Sequence, residues 1–327
     1  MATAPPNNDS SARPTLSVVV PVYQEEETIR PFLDRLCPVL EDITPDYEII
    51  FVMDPGEDRT EEIIREAMAR NPRIRLIVMT RRWGQPACTM AGIEACSGDA
   101  CVVIDVDLQD PPELIREMYR KWKEEGYDVV YAQRRSRKGE TLPKRLVSWL
   151  GYRLIERISE VHIPRNTGDF RLMDRKVVER LRQLKETHGF LRGLVAYVGY
   201  RQTAVLYDRD KRQGGRSKYS QLTGSLKIGL NGVVAFSTKP LALATTLGFL
   251  TAGGSAVLAL LYVGQKLLSR QPVATGISPI ILLVTFIGGV QLICLGIMGE
   301  YIGRIYEEVR QRPKYMIARK INFPGEG

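Results

Sequence analysis

Apolar and polar positions are arranged in alternating blocks along the first half of the chain. LSVVVPVY at 16–23 is a continuous apolar run of strand length, and the following EEETIRPFLDRLCPVL carries its apolar residues at helical spacing. YEIIFVMD at 47–54 reads as a second strand, DRTEEIIREAMARN as a helix, IRLIVMT at 74–80 as a third strand and GQPACTMAGIEACSG as a helix of small residues. CVVIDVD from position 101 is a fourth strand, PPELIREMYRKWKEEG a helix and DVVYAQ a fifth strand. Strands that are apolar throughout are buried on both faces. Their alternation with helices predicts βαβ units around a mostly parallel sheet, an α/β fold.

The pattern changes near residue 236. No charged side chain lies between Lys239 and Lys266, and none between Arg270 and Glu300. A bilayer crossing needs roughly 20 apolar residues. Buried core helices rarely run so long without a charge, so two transmembrane helices are predicted, at about 240–263 and 278–301. The short link makes them a hairpin. Arg304, Arg310, Arg312, Lys314, Arg319 and Lys320 follow the hairpin, whereas its loop carries only Lys266 and Arg270. The positive-inside rule then puts the tail and the N-terminal domain in the cytoplasm, with the protein multi-pass in the cell's inner (plasma) membrane. Gly248, Ala252 and Ala256, and likewise Gly299 and Gly303, recur every four residues, spacing that suits close helix contact within the hairpin or in a homo-oligomer. Leu222, Leu226, Leu230, Val233 and Val234 repeat at helical spacing just before the first span. They predict an amphipathic helix in the interface, or a core helix of the soluble domain. The expected organisation is a disordered tail at 1–14, an α/β domain at 15–218, the amphipathic helix at 219–236, the membrane hairpin within 237–303 and a basic tail at 304–327.

Composition narrows the partners. The 327 residues carry a formal net charge of +8, which suits an anionic partner. Zinc-finger spacing and long Lys/Arg tracts are absent, so nucleic acid is not expected; membrane lipids and phosphorylated substrates are. The five cysteines form no C-x-x-C pair, as in a reducing compartment.

The candidate chemistry lies where the strands end. Tyr23, Gln24 and Glu25, then Asp54, then Arg81 and Arg82, then Asp105 and Asp107 follow the first four apolar runs. Parallel strands bring these ends to one edge, where open α/β sheets bind ligands. Asp105, Asp107, Gln109 and Asp110 are hard oxygen donors and suit Mg²⁺ or Mn²⁺, ions that usually bring phosphates with them. Neither G-x-G-x-x-G nor a P-loop follows the first strand. Arg134 and Arg135, then Lys144, then Arg209, Arg212 and Lys218 supply cations for anionic groups; the plainer role for any one of them is an exposed solubilising charge.

Taken together, VVVPVYQEEETI, FVMDPGEDRT, RRWGQPACTMAGIEACSGD and VVIDVDLQDPPELI resemble family 2 glycosyltransferases, which have the GT-A fold. TGDFRLMDR at 167–175, RQGGRSKYS at 212–220 and the two spans narrow the resemblance to polyprenyl-phosphate glycosyltransferases. That group includes dolichyl-phosphate mannose synthase and, more similar still, the bacterial undecaprenyl-phosphate glucosyltransferases of the GtrB type. The resemblance implies that Pro21, Tyr23, Glu25, Asp54 and Asp105 bind the nucleotide, and that Asp107 and Gln109 hold the metal. It implies that Asp169 is the acid near the acceptor often described as the catalytic base, and that Arg134 and Arg212, then Lys144 and Lys218, contact phosphates. One departure is that the family's Asp-Asp-Gly-Ser reads Met53-Asp54-Pro55-Gly56 here, so the first acid is missing.

The acceptor so implied is a lipid phosphate, whose second pKa is about 6, and such a dianion scarcely needs a general base. Asp169 then serves as the base or instead orients Arg171 or a sugar hydroxyl. The expected activity is inverting transfer of one sugar, with UDP-glucose as the expected donor, to a polyprenyl phosphate. The alternatives are another donor (GDP-mannose, UDP-galactose, a UDP-N-acetylhexosamine or a modified arabinose), a processive polysaccharide synthase, and a non-catalytic membrane scaffold. A processive synthase usually carries Q-x-x-R-W and more spans; residues 168–172 read GDFRL here.

Overall fold

The computed structural model describes residues 15–135, 164, 166–184, 191–208, 238–268 and 277–324. The chain divides into two compact units. The first comprises residues 1–146, 161–221 and 313–327, and the second 147–160 and 222–312.

In the first unit β1 (Leu16–Val22), β2 (Tyr47–Met53), β3 (Ile74–Met79) and β4 (Ala100–Val103) are the four apolar runs expected. The connecting helices are α1 (Ile29–Ile43), α2 (Thr60–Arg70) and α3 (Gln85–Ala95). α4 (Leu114–Lys123) leads to β5 (Val129–Arg134). Then come β6 (Thr167–Asp174), α5 (Arg175–Gln183), α6 (Leu191–Val198) and β7 (Gln202–Tyr207). After the second unit the chain returns as β8 (Ile317–Ile321). The described strands form one sheet in the order β7-β5-β6-β4-β1-β2-β3-β8. β4-β1-β2-β3 and β5-β7 are parallel; β6 is antiparallel to both β4 and β5, and β8 to β3.

Every residue of β1 and β2 is buried, which is why these strands read as unbroken apolar runs. α1 lays Phe32, Leu36 and Leu40 into the core on one side. The small residues of α3 have a steric cause. A Cβ at Gly92 would sit 2.2 Å from Val19 Cγ1, so only glycine lets this helix approach the sheet so closely.

At the opposite edge from the candidate site, Glu48 at the start of β2 is 1% exposed. Its Oε1 accepts from Ser17 Oγ (2.5 Å), Ser97 N (2.7 Å) and Ser97 Oγ (2.8 Å), and its Oε2 pairs with Arg75. Breaking a buried pair on one side strands the other charge. Glu48→Ala is therefore expected to cost about 3 kcal/mol, read as a lower urea midpoint with unchanged slope; an unmoved midpoint would contradict this account.

The C-terminal segment corrects the expectation of a basic tail at 304–327. Ile317–Ile321 is the edge strand of the domain's own sheet. Lys314 Nζ donates to Leu184 O (2.5 Å), Arg319 reaches Glu61 at 3.0 Å, and Arg75 lies over the Phe323 ring. Part of the positive charge counted as tail thus belongs to the folded domain.

In the second unit α7 (Lys239–Leu268) and α8 (Ile277–Val309) have 30 and 33 residues. Both are longer than the spans expected, and both are long and apolar enough to cross a membrane. Their large apolar side chains are exposed, Phe249 by 76% and Leu292 by 71%. A soluble core helix would bury such residues. Hydroxyls of Thr245, Thr246 and Thr251 donate to carbonyls four residues earlier, so they need no water partner in an apolar medium. The helices touch where Cys294 Sγ lies 3.5 Å from Ala244 O. Among the described residues a Cβ at Gly248, Gly299 or Gly303 would meet nothing within 4 Å, so the hairpin contacts described do not require these glycines. The amphipathic helix expected at 219–236 lies outside the described residues.

Candidate active site

The topology gathers side chains from six strands at one edge. β1, β2, β4, β5 and β7 point their carboxyl ends there, and antiparallel β6 brings its amino end. Asp54, Asp105, Asp107, Arg134 and Tyr207 therefore share an edge with Asp169, which lies near the start of its strand. Pro21 is buried within β1.

On the β1–β3 side the groups are already organised. Buried Asp54 accepts from the backbone N–H of Trp83 (3.0 Å) through Oδ1 and of Gly84 (2.7 Å) through Oδ2. It shapes the turn into α3 with both oxygens, which gives the single acid of Met53-Asp54-Pro55-Gly56 a structural task. The Arg82 guanidinium stacks 4.3 Å from the Tyr23 ring centre, and that of Arg81 3.8 Å from Trp83. Glu25 accepts from Thr28 Oγ1 (3.0 Å), and its own N–H donates to Thr60 Oγ1 (2.8 Å).

In the centre, Gln85 Nε2 donates to Asp105 Oδ1 (2.6 Å). Two residues on, Asp107 Oδ1 accepts from the N–H of Gln109 (3.2 Å) around Leu108, a non-glycine residue at φ +56° with a buried side chain. Such a left-handed residue persists only where packing holds it. Burial, with Asp169, Asp107 and Asp110 nearby, pushes the Asp105 carboxyl up to about 7. Ionised Asp105 therefore costs the folded protein stability: the cost is absent only well below pH 4, grows as pH rises and is complete above about pH 7. Asp105→Asn keeps a carbonyl acceptor for Gln85 and is expected to stabilise the metal-free protein by about 2 kcal/mol at pH 8. The gain should be much smaller at pH 4.5. Equal thermal midpoints for both proteins at both pH values would refute this.

Asp105, Asp107 and Gln109 follow one another in a single loop and carry the oxygen donors. Among the described residues no three His, Cys, Asp or Glu side chains form a closed cage. One or two carboxylates suit Mg²⁺ or Mn²⁺ where a phosphate-bearing substrate supplies other oxygens.

On the far side, Asp169 Oδ1 accepts from Arg192 Nε (2.9 Å). Buried Arg171, one of the alternative groups for Asp169 to orient, donates to the carbonyls of Gly168 (2.9 Å) and of Asp169 itself (3.3 Å), and its charge acts on the Asp169 carboxylate. Burial pushes Arg171 down to about 10, so it stays protonated. Burial also raises the Asp169 carboxyl, but Arg192, Arg171 and Arg134 outweigh it and hold the group below the usual carboxylate range. Arg135 is exposed, 3.9 Å from equally exposed Asp208. Arg209, Arg212, Lys144 and Lys218 lie outside the described residues.

Arg192, Tyr207 and Gln85 had no sequence signal as site residues. Each acquires its place through a contact at least 20 positions away in the chain: Asp169, Asp110 and Asp105 respectively.

Residues 17–182 match the family described as Glycosyl transferase family 2. The uncharacterized glycosyltransferase YkcC of Bacillus subtilis is 45% identical over 303 residues, covering 93% of each chain. The uncharacterized glycosyltransferase sll0501 of Synechocystis is 43% identical over 306 residues, 93% of this chain and 94% of its own. The SfII prophage-derived bactoprenol glucosyl transferase of Shigella flexneri is 38% identical over 305 residues, 93% of this chain and 97% of its own. The chain belongs to glycosyl transferase family 2, and its mixed, mostly parallel sheet is the GT-A arrangement.

Proposed function

We propose that this glycosyltransferase moves one sugar, with glucose from UDP-glucose as the first choice, onto a polyprenyl phosphate at the cytoplasmic face of the inner membrane. The carrying observation is a single sheet edge. Asp105, Asp107 and Gln109 stand there with the cations Arg134, Arg171 and Arg192 grouped around Asp169, in a chain that also bears two membrane-length helices. The bactoprenol glucosyl transferase similar to this chain supports the lipid acceptor and the sugar.

In this reading the acceptor phosphate oxygen attacks the anomeric carbon as the bond to the leaving diphosphate breaks. The single displacement inverts an α-linked donor to a β-linked lipid phosphate sugar. A divalent cation bound there supplies charge stabilisation for the departing diphosphate. Asp107 and Gln109 would hold it, while Pro21, Tyr23, Glu25, Asp54 and Asp105 take the nucleotide. Arg134 and Arg192 offset the acceptor's negative charge, and Asp169 keeps Arg192 in place. Arg135, Lys144, Arg209, Arg212 and Lys218 complete the phosphate-binding set.

The hairpin tethers the domain to the bilayer, from which the lipid cannot leave. The chain re-enters the domain's sheet as β8 after α8, a connectivity that supports an even number of crossings. The glycines that α7 and α8 do not need for each other support contact with a second copy.

The test is purified full-length protein with labelled nucleotide sugars, undecaprenyl phosphate and Mg²⁺ or Mn²⁺. A chloroform-soluble sugar lipid, with release of nucleoside diphosphate that stops on chelation, is the expected result. A water-soluble polymer would favour a processive synthase, and turnover with no donor would favour a scaffold.

A further inference from the structure

Asp110 is the last acid of the Asp105–Asp110 loop. It is 2% exposed and accepts a short hydrogen bond from the hydroxyl of Tyr207, itself 5% exposed. That hydroxyl oxygen in turn accepts from Arg134 Nε (3.1 Å), and Asp110 Oδ1 lies 3.7 Å from Arg134 Nη2. The relay is Arg134 Nε–H to Tyr207 O–H to Asp110, with each hydrogen used once.

The backbone around it is equally determined. Arg134 and Tyr207 end parallel strands and are register partners. Arg134 N donates to Asn166 O, and Arg135 N to Tyr207 O, both at 3.0 Å. A Cβ at Gly168 would lie 3.3 Å from Arg134 Nη2 and 3.7 Å from Asp110 Oδ2. Gly168 therefore leaves the guanidinium space beside the backbone that leads directly into Asp169. The Arg134 charge is felt there, since it helps lower the Asp169 carboxyl.

We propose that Asp110 and Tyr207 are positioning residues, which pre-set the Arg134 guanidinium for an anionic substrate group. The inference rests on the reading above that Arg134 receives a phosphate. A free arginine side chain carries about 2 kcal/mol of rotamer entropy, and one fixed beforehand loses less when it binds. The relay also fixes the plane of the guanidinium, which decides whether its fork meets two oxygens or one. Burial and the Asp110 charge push the Tyr207 hydroxyl up to about 12, so it remains a donor at working pH.

A double-mutant cycle on the full-length protein tests this. Tyr207→Phe removes one hydroxyl and should lower kcat/KM on the order of 10-fold, with the thermal midpoint lowered only as far as the loss of one buried hydrogen bond requires. Asp110→Asn should act in the same direction. In an Arg134→Ala background Tyr207→Phe should have no further effect, because there is nothing left to position. An equal loss in both backgrounds would overturn the proposal and make the relay merely structural, as would wild-type kinetics in Tyr207→Phe. Wild-type kinetics in Arg134→Ala would overturn both the proposal and the phosphate role of Arg134. If no donor supports transfer by the wild type, the functional reading fails separately. The same cycle on calorimetric binding of decyl phosphate then decides the positioning role, with coupling expected and additivity overturning it.

Discussion

Replacing Asp107 with alanine is expected to lower sugar transfer on the order of 10³-fold, the scale of losing one preorganised stabiliser of transition-state charge. The nucleoside diphosphate leaves with its charge concentrated on phosphate oxygens, so the loss should appear in kcat rather than only in donor KM. The loop should survive the change. Leu108 is buried at φ +56° and Asp105 is tied to Gln85, so the fold of the turn has supports besides Asp107 Oδ1. Thermal unfolding without metal should thus be close to wild type, while the stabilisation that added Mn²⁺ gives the wild type should disappear. Asp107→Glu, which keeps a carboxylate at a different reach, should recover part of the activity. Wild-type transfer by Asp107→Ala would remove Asp107 from the site.

The second large effect concerns Asp169, and its diagnostic is a pH profile. Asp169→Asn is expected to reduce kcat/KM about 100-fold, within the range also seen for loss of a general base, so magnitude alone decides nothing. The physical roles differ in pH. Burial raises the Asp169 carboxyl, Arg192, Arg171 and Arg134 together lower it further than that, and the net shift is downward. Asp169 is therefore ionised throughout the neutral range and is a weak proton acceptor. A lipid phosphate passes to its dianion near pH 6, so the rate should rise with pH through about 6. That limb belongs to the acceptor and should persist in Asp169→Asn at reduced amplitude. Its disappearance in the variant would restore Asp169 as the base. The stability linkage has the opposite sign from Asp105: the lowered carboxyl stabilises the fold above ordinary carboxylate pKa values, and this is lost as pH falls through its own. Arg192→Ala should share much of the Asp169→Asn defect, because the two side chains form one ion pair at 2.9 Å.

Much of this was legible from local pattern. A strand buried on both faces has to be apolar along its length, so 16–23, 47–54, 74–80 and 101–104 declared themselves. An acid or aromatic after such a run falls at the sheet edge once the strands are parallel, which made Tyr23, Asp54, Asp105 and Asp107 candidates. The uncharged stretches of α7 and α8 needed only their length and composition. What stayed hidden depends on pairing across long separations. Ile317–Ile321, with Arg319 and Lys320 inside it, has the composition of a charged tail and becomes a strand only because β3 offers an unpaired edge more than 230 residues earlier. Arg192 is one more arginine in a chain with 46 Lys and Arg until β6 and α6 bring it to Asp169.

By itself, then, the sequence determined the α/β class, the membrane-length helices and the acidic loop at 105–110, because each is set by neighbours a few residues apart. Only the tertiary structure decided that β6 enters antiparallel between β4 and β5. That reversal puts the amino end of β6, with Gly168 and Asp169, at the edge where the other strands end. The apolar run of a strand carries no direction, and only its partners' backbone hydrogen bonds choose one. The same pairing decided that Asp110, which reads as one acid among several, meets Tyr207 and Arg134.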